Sequence, residues 1–264
     1  GTNQPYDGDA RNIEMKLDKD DNIFLVGCFR ESNYLEFFQD TFRLPLNPLI
    51  EEDNKVFISK FDKQGHLQWA KNIGGYGWID RNAIQIDHDG NLIVAGYFEE
   101  EAAFGSTLIT TNDDGIFLAK YSTDGDLIGL ENLSLNYPAK VAKVEIDNDG
   151  NIYVAGDYRV SGFGWTDFPY LIKYDKSGNL QWIKSFTNEL DISYDVTDLV
   201  IDDNGNPLVL ATDGIFSNSG SSWDTYTELF SINAADGSER WIKRFHSTDR
   251  NDIRSMTVTK RGDI

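Results

Sequence analysis

The chain has 264 residues, 13% of them aromatic, and a formal net charge of −20 from 44 acidic against 24 basic side chains. That length permits a sizeable core and the aromatic content speaks against disorder, while the acidity repels phosphate backbones and anionic lipid and so argues against a nucleic-acid partner. No apolar run approaches the ~18 residues a membrane span needs, and Cys28, the single cysteine, excludes an intrachain disulfide. Gly1 opens directly into polar sequence with no visible signal peptide, so the sequence reads as a mature form or an excised piece.

Taken in chain order, the first element is a strand, turn and strand, LDKDDNIFLVGCF, from Leu17 to Phe29. An irregular insert at 30–55 follows, then KFDKQGHLQWAK at 60–71. The same two motifs return as IDHDGNLIVAG (86–96) with KYSTDGDLIGLE (120–131), and again as IDNDGNIYVAG (146–156) with KYDKSGNLQWIK (173–184). A fourth copy reads IDDNGNPLVLATD (Ile201 to Asp213), a loop at 213–226 and INAADGSERWIK (232–243); a fifth opens at VTKRGDI (258–264). The copies lie 55 to 69 residues apart, measured between Asn22, Asn91, Asn151, Asn206 and Asp263. Fixed self-similarity at that period identifies a repeat protein.

Short runs such as NLIVAGYF and NIYVAGDY are rich in β-branched and aromatic residues, lack a polar face, and are bounded by Asp, Gly and Asn. They predict strands covered on both faces and joined by tight turns, at 83–87, 91–98, 115–121 and 127–133 in the second copy. Helical periodicity over ten or more residues is absent. Four antiparallel strands per copy is the size of a β-propeller blade, and one blade cannot cover its own apolar faces. The expected fold is therefore an all-β propeller of four-stranded blades (11–72, 73–133, 134–187 and 188–246), with a further blade beginning at 247–264 as part of a larger propeller. An alternative has that last strand completing the first blade.

Gly27, Gly96 and Gly156 occupy matching strand positions, where a missing side chain admits a neighbouring backbone or a bulge. Trp69, Trp182 and Trp241 share one place in the fourth strand, with Gly129 there in the second copy. They read as plugs between blades, each N–H seeking a carbonyl.

The alternation of these motifs resembles the SBBP repeat, a bacterial β-propeller repeat of secreted and cell-surface proteins, over nearly the whole chain and most weakly in the fourth copy. The resemblance implies export, an extracellular or surface setting, and no particular activity. The second motif, YDKSGNLQW, also resembles the Asp-box hairpin of sialidases, which is structural and nominates no enzyme.

Asp87 and Asp89, or Asp147 and Asp149, offer carboxylates on tight loops that calcium could use, but a bidentate Glu is missing where an EF-hand-type loop needs one, and turn stabilisation accounts for them better. His66, His88 and His246 fall in or beside turns of different copies without zinc-site spacing. Glu99 to Glu101 reads as a solvated charge run. No cofactor is indicated and no motif nominates a reaction. The expected function is a binding or scaffold module that contacts protein, glycan or other parts of its own longer chain through loops. Tyr34, Phe37 and Phe38 of the first insert, with Trp223 and Tyr226 of the second loop, are the candidate contact residues, although they also suit a role as edge caps. The alternative is a polysaccharide hydrolase or lyase with carboxylates around the propeller channel.

Overall fold

A computed structural model describes residues 10–30, 34–37, 42–45, 54–78, 83–134, 137–161, 165–186, 193–216, 223–247, 253 and 255–258. Most of them form strands and turns, residues 253 and 255–258 form neither, and no helix occurs among the described residues. The chain divides into two compact units, residues 1–136 and 137–264.

The first unit holds β1 (Ala10–Leu17), β2 (Ile23–Arg30), β3 (Tyr34–Phe37), β4 (Phe42–Pro45), β5 (Asn54–Phe61), β6 (Leu67–Trp78), β7 (Ile84–Ile86), β8 (Leu92–Phe104), β9 (Thr107–Tyr121) and β10 (Leu127–Ser134). The second holds β11 (Ala139–Ile146), β12 (Ile152–Ser161), β13 (Trp165–Tyr174), β14 (Leu180–Ser185), β15 (Asp195–Ile201), β16 (Pro207–Phe216), β17 (Trp223–Ile232) and β18 (Glu239–Ser247). Repeats three and four form separate four-stranded antiparallel meanders, β11 to β14 and β15 to β18.

Repeats one and two depart from expectation. Their strands join in one eight-stranded sheet, β1-β2-β5-β6-β8-β9-β10 with β7 attached to β8. The boundary expected at 72/73 lies inside β6, which continues to pair Gly74 with Ala103 and Gly75 with Ala102 of β8. Gly75 makes this possible: its φ is +118°, and a Cβ there would lie 2.5 Å from the Glu101 carbonyl oxygen. Strands β8 and β9 also outrun the predicted 91–98 and 115–121, so Glu99 to Glu101 is exposed as expected but sits in a strand.

The turns follow the sequence reading. Asp18, Asp87, Asp147 and Asp202 each accept two backbone N–H bonds on Oδ1 from the residues two and four positions on, at 2.8–3.0 Å. The side chain thus satisfies backbone donors that the reversal leaves without a ladder partner. Gly156 answers a different need. The first strand bulges between Val141 and Lys143 opposite it, and a Cβ on Gly156 would lie 1.9 Å from the Lys140 carbonyl oxygen, which accepts a 2.7 Å bond from the Tyr170 hydroxyl.

Packing within the second unit repeats itself one repeat at a time. Leu199 of β15 is buried in a cluster with Tyr153, Ala155 and Leu171 of repeat three, and Ile201 packs against that cluster. Met256 and Val258, the matching pair of the fifth copy, pack against Leu208, Leu210 and Leu229, the matching trio of repeat four. Burying each such side chain contributes about 1.5–3 kcal/mol. Asp198, also buried, ties β11 and the 255–258 segment to β15: Lys143 donates to its Oδ1 and the Met256 N–H to its Oδ2.

A tryptophan latch is superimposed on that packing. The Trp69 indole N–H and the Lys60 ammonium both donate to the Thr123 carbonyl at 3.0 Å, in the last turn of repeat two. Trp182 and Lys173 do the same to the Ala234 carbonyl of repeat four, at 3.3 and 2.7 Å. In each case the indole lies on the turn glycine, where a Cβ on Gly125 or Gly237 would come within 2.7 or 3.0 Å of it. An aromatic side chain of the same repeat, Phe24 or Tyr153, meets each indole edge-on and carries the lysine 5.3 Å above its ring. Each compact unit is thus a latched pair of repeats. In repeat two Gly129 stands at the tryptophan position, and Lys120 turns instead to Asp87 at 2.8 Å.

Burial alone would raise the Asp87 pKa, but the Lys120, Asn91 and backbone donors outweigh it and hold the carboxyl below the usual range. Such a group stabilises the fold above its ordinary pKa, and the contribution is lost as pH falls through the depressed folded-state value. Asp87→Ala is expected to cost about 2 kcal/mol in urea unfolding at pH 7 and Asp89→Ala under about 0.5. The gap should narrow as the pH falls below the ordinary value of 3.8; equal losses at pH 7 would contradict the turn's dependence on Asp87.

Candidate functional site

A set of charged groups in the second unit gathers at the ends of β12, β13 and β15. Side chains alternate along β12, so Asp157 and Arg159 share the face that carries Tyr153 and Ala155 lower down. Register pairs Arg159 with Asp167 of β13. Their contact is bidentate, Nε to Oδ1 at 2.6 Å and a terminal nitrogen to Oδ2 at 2.8 Å. Lys140, paired in register with Asp157 of β12, lies 3.6 Å from Asp157 and 3.7 Å from Asp195 at the start of β15. The Asp167 N–H donates to Ser193 Oγ at 2.9 Å, and the Tyr194 N–H to the Asp167 carbonyl at 2.9 Å, fixing the entry into β15 against β13.

Asp157 and Asp167 are buried and Asp195 is exposed, and one oxygen of each lies within 4.8 Å of the others. Three carboxylates therefore share two cations. Burial would lower the Lys140 pKa, but Asp157, Asp195 and Asp167 raise it overall. The Asp167 hydrogen bonds raise that of Arg159 against its own burial. Three oxygens are half or less of a calcium shell, and the ammonium and guanidinium already stand where a divalent ion would need negative potential.

The opposite face at the same strand ends is aromatic. The rings of Tyr137, Tyr158 and Phe168 step across it with centroids 5.7 Å apart at each step and tilts of 33° and 31°. Tyr137 is 44% exposed, and the Tyr158 hydroxyl lies 2.7 Å from Ser185 Oγ in an exposed hydrogen bond. This ladder presents apolar ring faces beside polar tips, a combination that suits a wet binding surface.

At the other end of these sheets a cavity of about 330 Å³ is lined by Glu145, Asp147, Asn148, Asp202, Asp203 and Val258 among others. Its principal carboxylates are engaged. Asp147 accepts from Asp149 N–H, Asn151 N–H, the Asn151 amide and the Tyr153 hydroxyl, and Asp202 takes two turn N–H bonds and Arg240.

The residues expected from sequence divide between the two units, Tyr34, Phe37, Phe38, Asp87 and Asp89 in the first and Asp147, Asp149, Trp223 and Tyr226 in the second. Asp87 and Asp89 occupy a turn in the first unit and Asp147 and Asp149 one in the second; within each pair the later residue gives its backbone N–H to the earlier. Tyr34 and Phe37 lie in β3, part of a short hairpin with β4, and Trp223 opens β17, with their side chains outside the described residues, as is Phe38. Tyr226 is half-buried, stacked on His246 at 4.6 Å and packed against the repeat-three and repeat-four core. His246 lies in β18, next to the strand's last residue, where Ser247 pairs with Thr225 of β17. In the sequence Asp157, Arg159 and Asp167 look like ordinary strand ends. The available signal was the spacing, Asp-x-Arg followed eight residues later by Asp across one hairpin.

No protein-family model matches the chain, so the likeness to the SBBP repeat rests on the motifs alone. An uncharacterized WD repeat-containing protein of Acanthamoeba polyphaga mimivirus is 24% identical over 154 residues, 54% of this chain and 11% of that protein. The chain thus spans about a tenth of that relative's length. Among solved structures, a Penicillium chrysogenum alpha-L-arabinanase complexed with arabinobiose aligns with TM-score 0.47 and 11% identity over 96% of this chain and 68% of its own. A hypothetical protein from Leishmania major aligns with TM-score 0.29 and 11% identity over 88% of each.

Because Asp167 is buried, the Arg159→Ala, Asp167→Ala cycle should return a coupling of about 1–3 kcal/mol in urea unfolding. A coupling below about 0.3 kcal/mol would contradict the placement of the pair.

Proposed function

We propose that this chain is a non-enzymatic binding module, a set of four-stranded propeller blades belonging to an exported or cell-surface protein. On this reading it contacts glycan or protein through the aromatic ladder of Tyr137, Tyr158 and Phe168. The observation that carries it is the ladder itself: three successive tilted rings that reach solvent at Tyr137, with the Tyr158 and Ser185 hydroxyls at their edge. Tyrosines give large rigid contact area at small entropic cost. Export is supported by the motif resemblance, which concerns secreted and surface proteins.

Hydrolysis of polysaccharide has less support. Glycoside hydrolysis needs one carboxyl that carries a proton and one carboxylate left free to act. At the charged cluster the two buried carboxylates are held by Arg159 and Lys140.

The test is binding of the 264-residue chain to an array of neutral and acidic oligosaccharides, with Tyr137→Ala and Asp157→Asn alongside. A bound oligosaccharide whose affinity falls at least tenfold (about 1.4 kcal/mol) in Tyr137→Ala, and is unchanged in Asp157→Asn, is the expected result. Release of reducing sugar that Asp157→Asn abolishes would contradict the binding reading.

A further inference from the structure

Trp241 repeats half of the latch described above. It stands in β18 where Trp69 stands in β6 and Trp182 in β14, as the third residue of its strand after the last turn of its repeat. Both earlier indoles rest on a turn glycine of the following repeat and donate to that turn's carbonyl. Trp241 is half-buried against Leu208, Leu210 and Leu229, yet among the described residues nothing accepts from its Nε1. The partner lysine is also replaced, because Ser231 occupies the position of Lys60 and Lys173 opposite the tryptophan.

The face around Trp241 is already partly occupied in the manner of a following repeat. Met256 and Val258 pack there as Leu199 and Ile201 pack on repeat three. The Ile253 carbonyl accepts from the hydroxyls of Thr197 and Thr212 at 3.3 and 3.2 Å, and the Met256 N–H donates to Asp198. Residues 253 and 255–258 therefore occupy the place of a following first strand without forming one, while the glycine turn that would meet the indole is not among the described residues.

We propose that Trp241 is the docking point for a fifth repeat of the same kind, opened by residues 253–258, whose last turn presents a backbone carbonyl to the Trp241 N–H and a glycine to the indole face. The glycine is the recognition element. At both existing latches a Cβ on the turn would fall within about 3 Å of indole carbon, so a turn bearing a side chain at that position is rejected. The hydrogen bond sets register, and the burial of the ring supplies the larger share of the energy.

The test extends the chain. Ile264 stands at the position of Ile152 and of Leu92, so fusing residues 153–186 or residues 93–134 after it supplies the remaining three strands, with Gly178 or Gly125 in the turn. Hydrogen exchange of the indole N–H groups is read by NMR, and Trp241→Phe identifies the Trp241 signal by its loss. Slowing of Trp241 exchange by at least tenfold in either extended chain, toward the rates of Trp69 and Trp182, is the expected result. Unchanged exchange in both, whether or not the added strands fold, would overturn the proposal. So would a Trp241 signal already protected in the 264-residue chain in proportion to a dimer seen by sedimentation, since the occupant would then be a second copy.

Discussion

A four-stranded sheet with apolar residues on both faces cannot stand alone in water, and the contact that answers this constraint is the tryptophan seated on the next repeat's glycine turn. An indole buries on the order of 150–250 Å², roughly 4–6 kcal/mol by area before entropy is counted, whereas its hydrogen bond contributes nearer 1 kcal/mol net. The ring therefore binds and the N–H orients. The lysine that shares the carbonyl and lies over the aromatic ring adds a charge-assisted bond within a chain of net charge −20. Where the tryptophan is Gly129, the lysine is redirected to Asp87, and the chain's two compact units each contain one complete latch.

The same architecture explains where chemistry can accumulate. Turns consume polar groups, so the first Asp of each, Asp18, Asp87, Asp147 and Asp202, is a structural partner of the backbone. Strand ends opposite those turns carry no such obligation. There the register of β11 with β12 sets Lys140 beside Asp157, its ammonium also near Asp195, while the hairpin register sets Arg159 against Asp167. One face of the strand ends becomes a paired ionic cluster and the other an aromatic ladder, because side chains alternate along β12 and β13.

Much of the fold was legible because local chemistry and long-range packing agree in this sequence. The Asp-x-Asp-Gly-Asn turns, the glycine opposite the bulge and the tryptophan plugs each follow from a residue type whose need is local. The joining of repeats one and two into one sheet was not legible. It depends on β6 running on through Gly74 and Gly75 to pair with β8, and a glycine run reads equally well as a loop. The candidate site was less visible still. The Arg159 and Asp167 pair arises from hairpin register, and Tyr137 meets Tyr158 from a different strand end, so neither forms a motif along the chain. The loop aromatics drew attention by composition, but of these only Tyr226 has a described side chain, and it packs into the core.

Whether one repeat holds the next through its tryptophan is measured most directly by native-state amide exchange in Trp182→Ala. Loss of the indole should cost about 3 kcal/mol and raise exchange at the Asn233 to Ser238 turn of repeat four, which lies more than fifty residues away in sequence and meets Trp182 through Ala234 and Gly237. Faster exchange confined to the β13 and β14 hairpin, with the 233–238 turn as protected as before, would contradict the account.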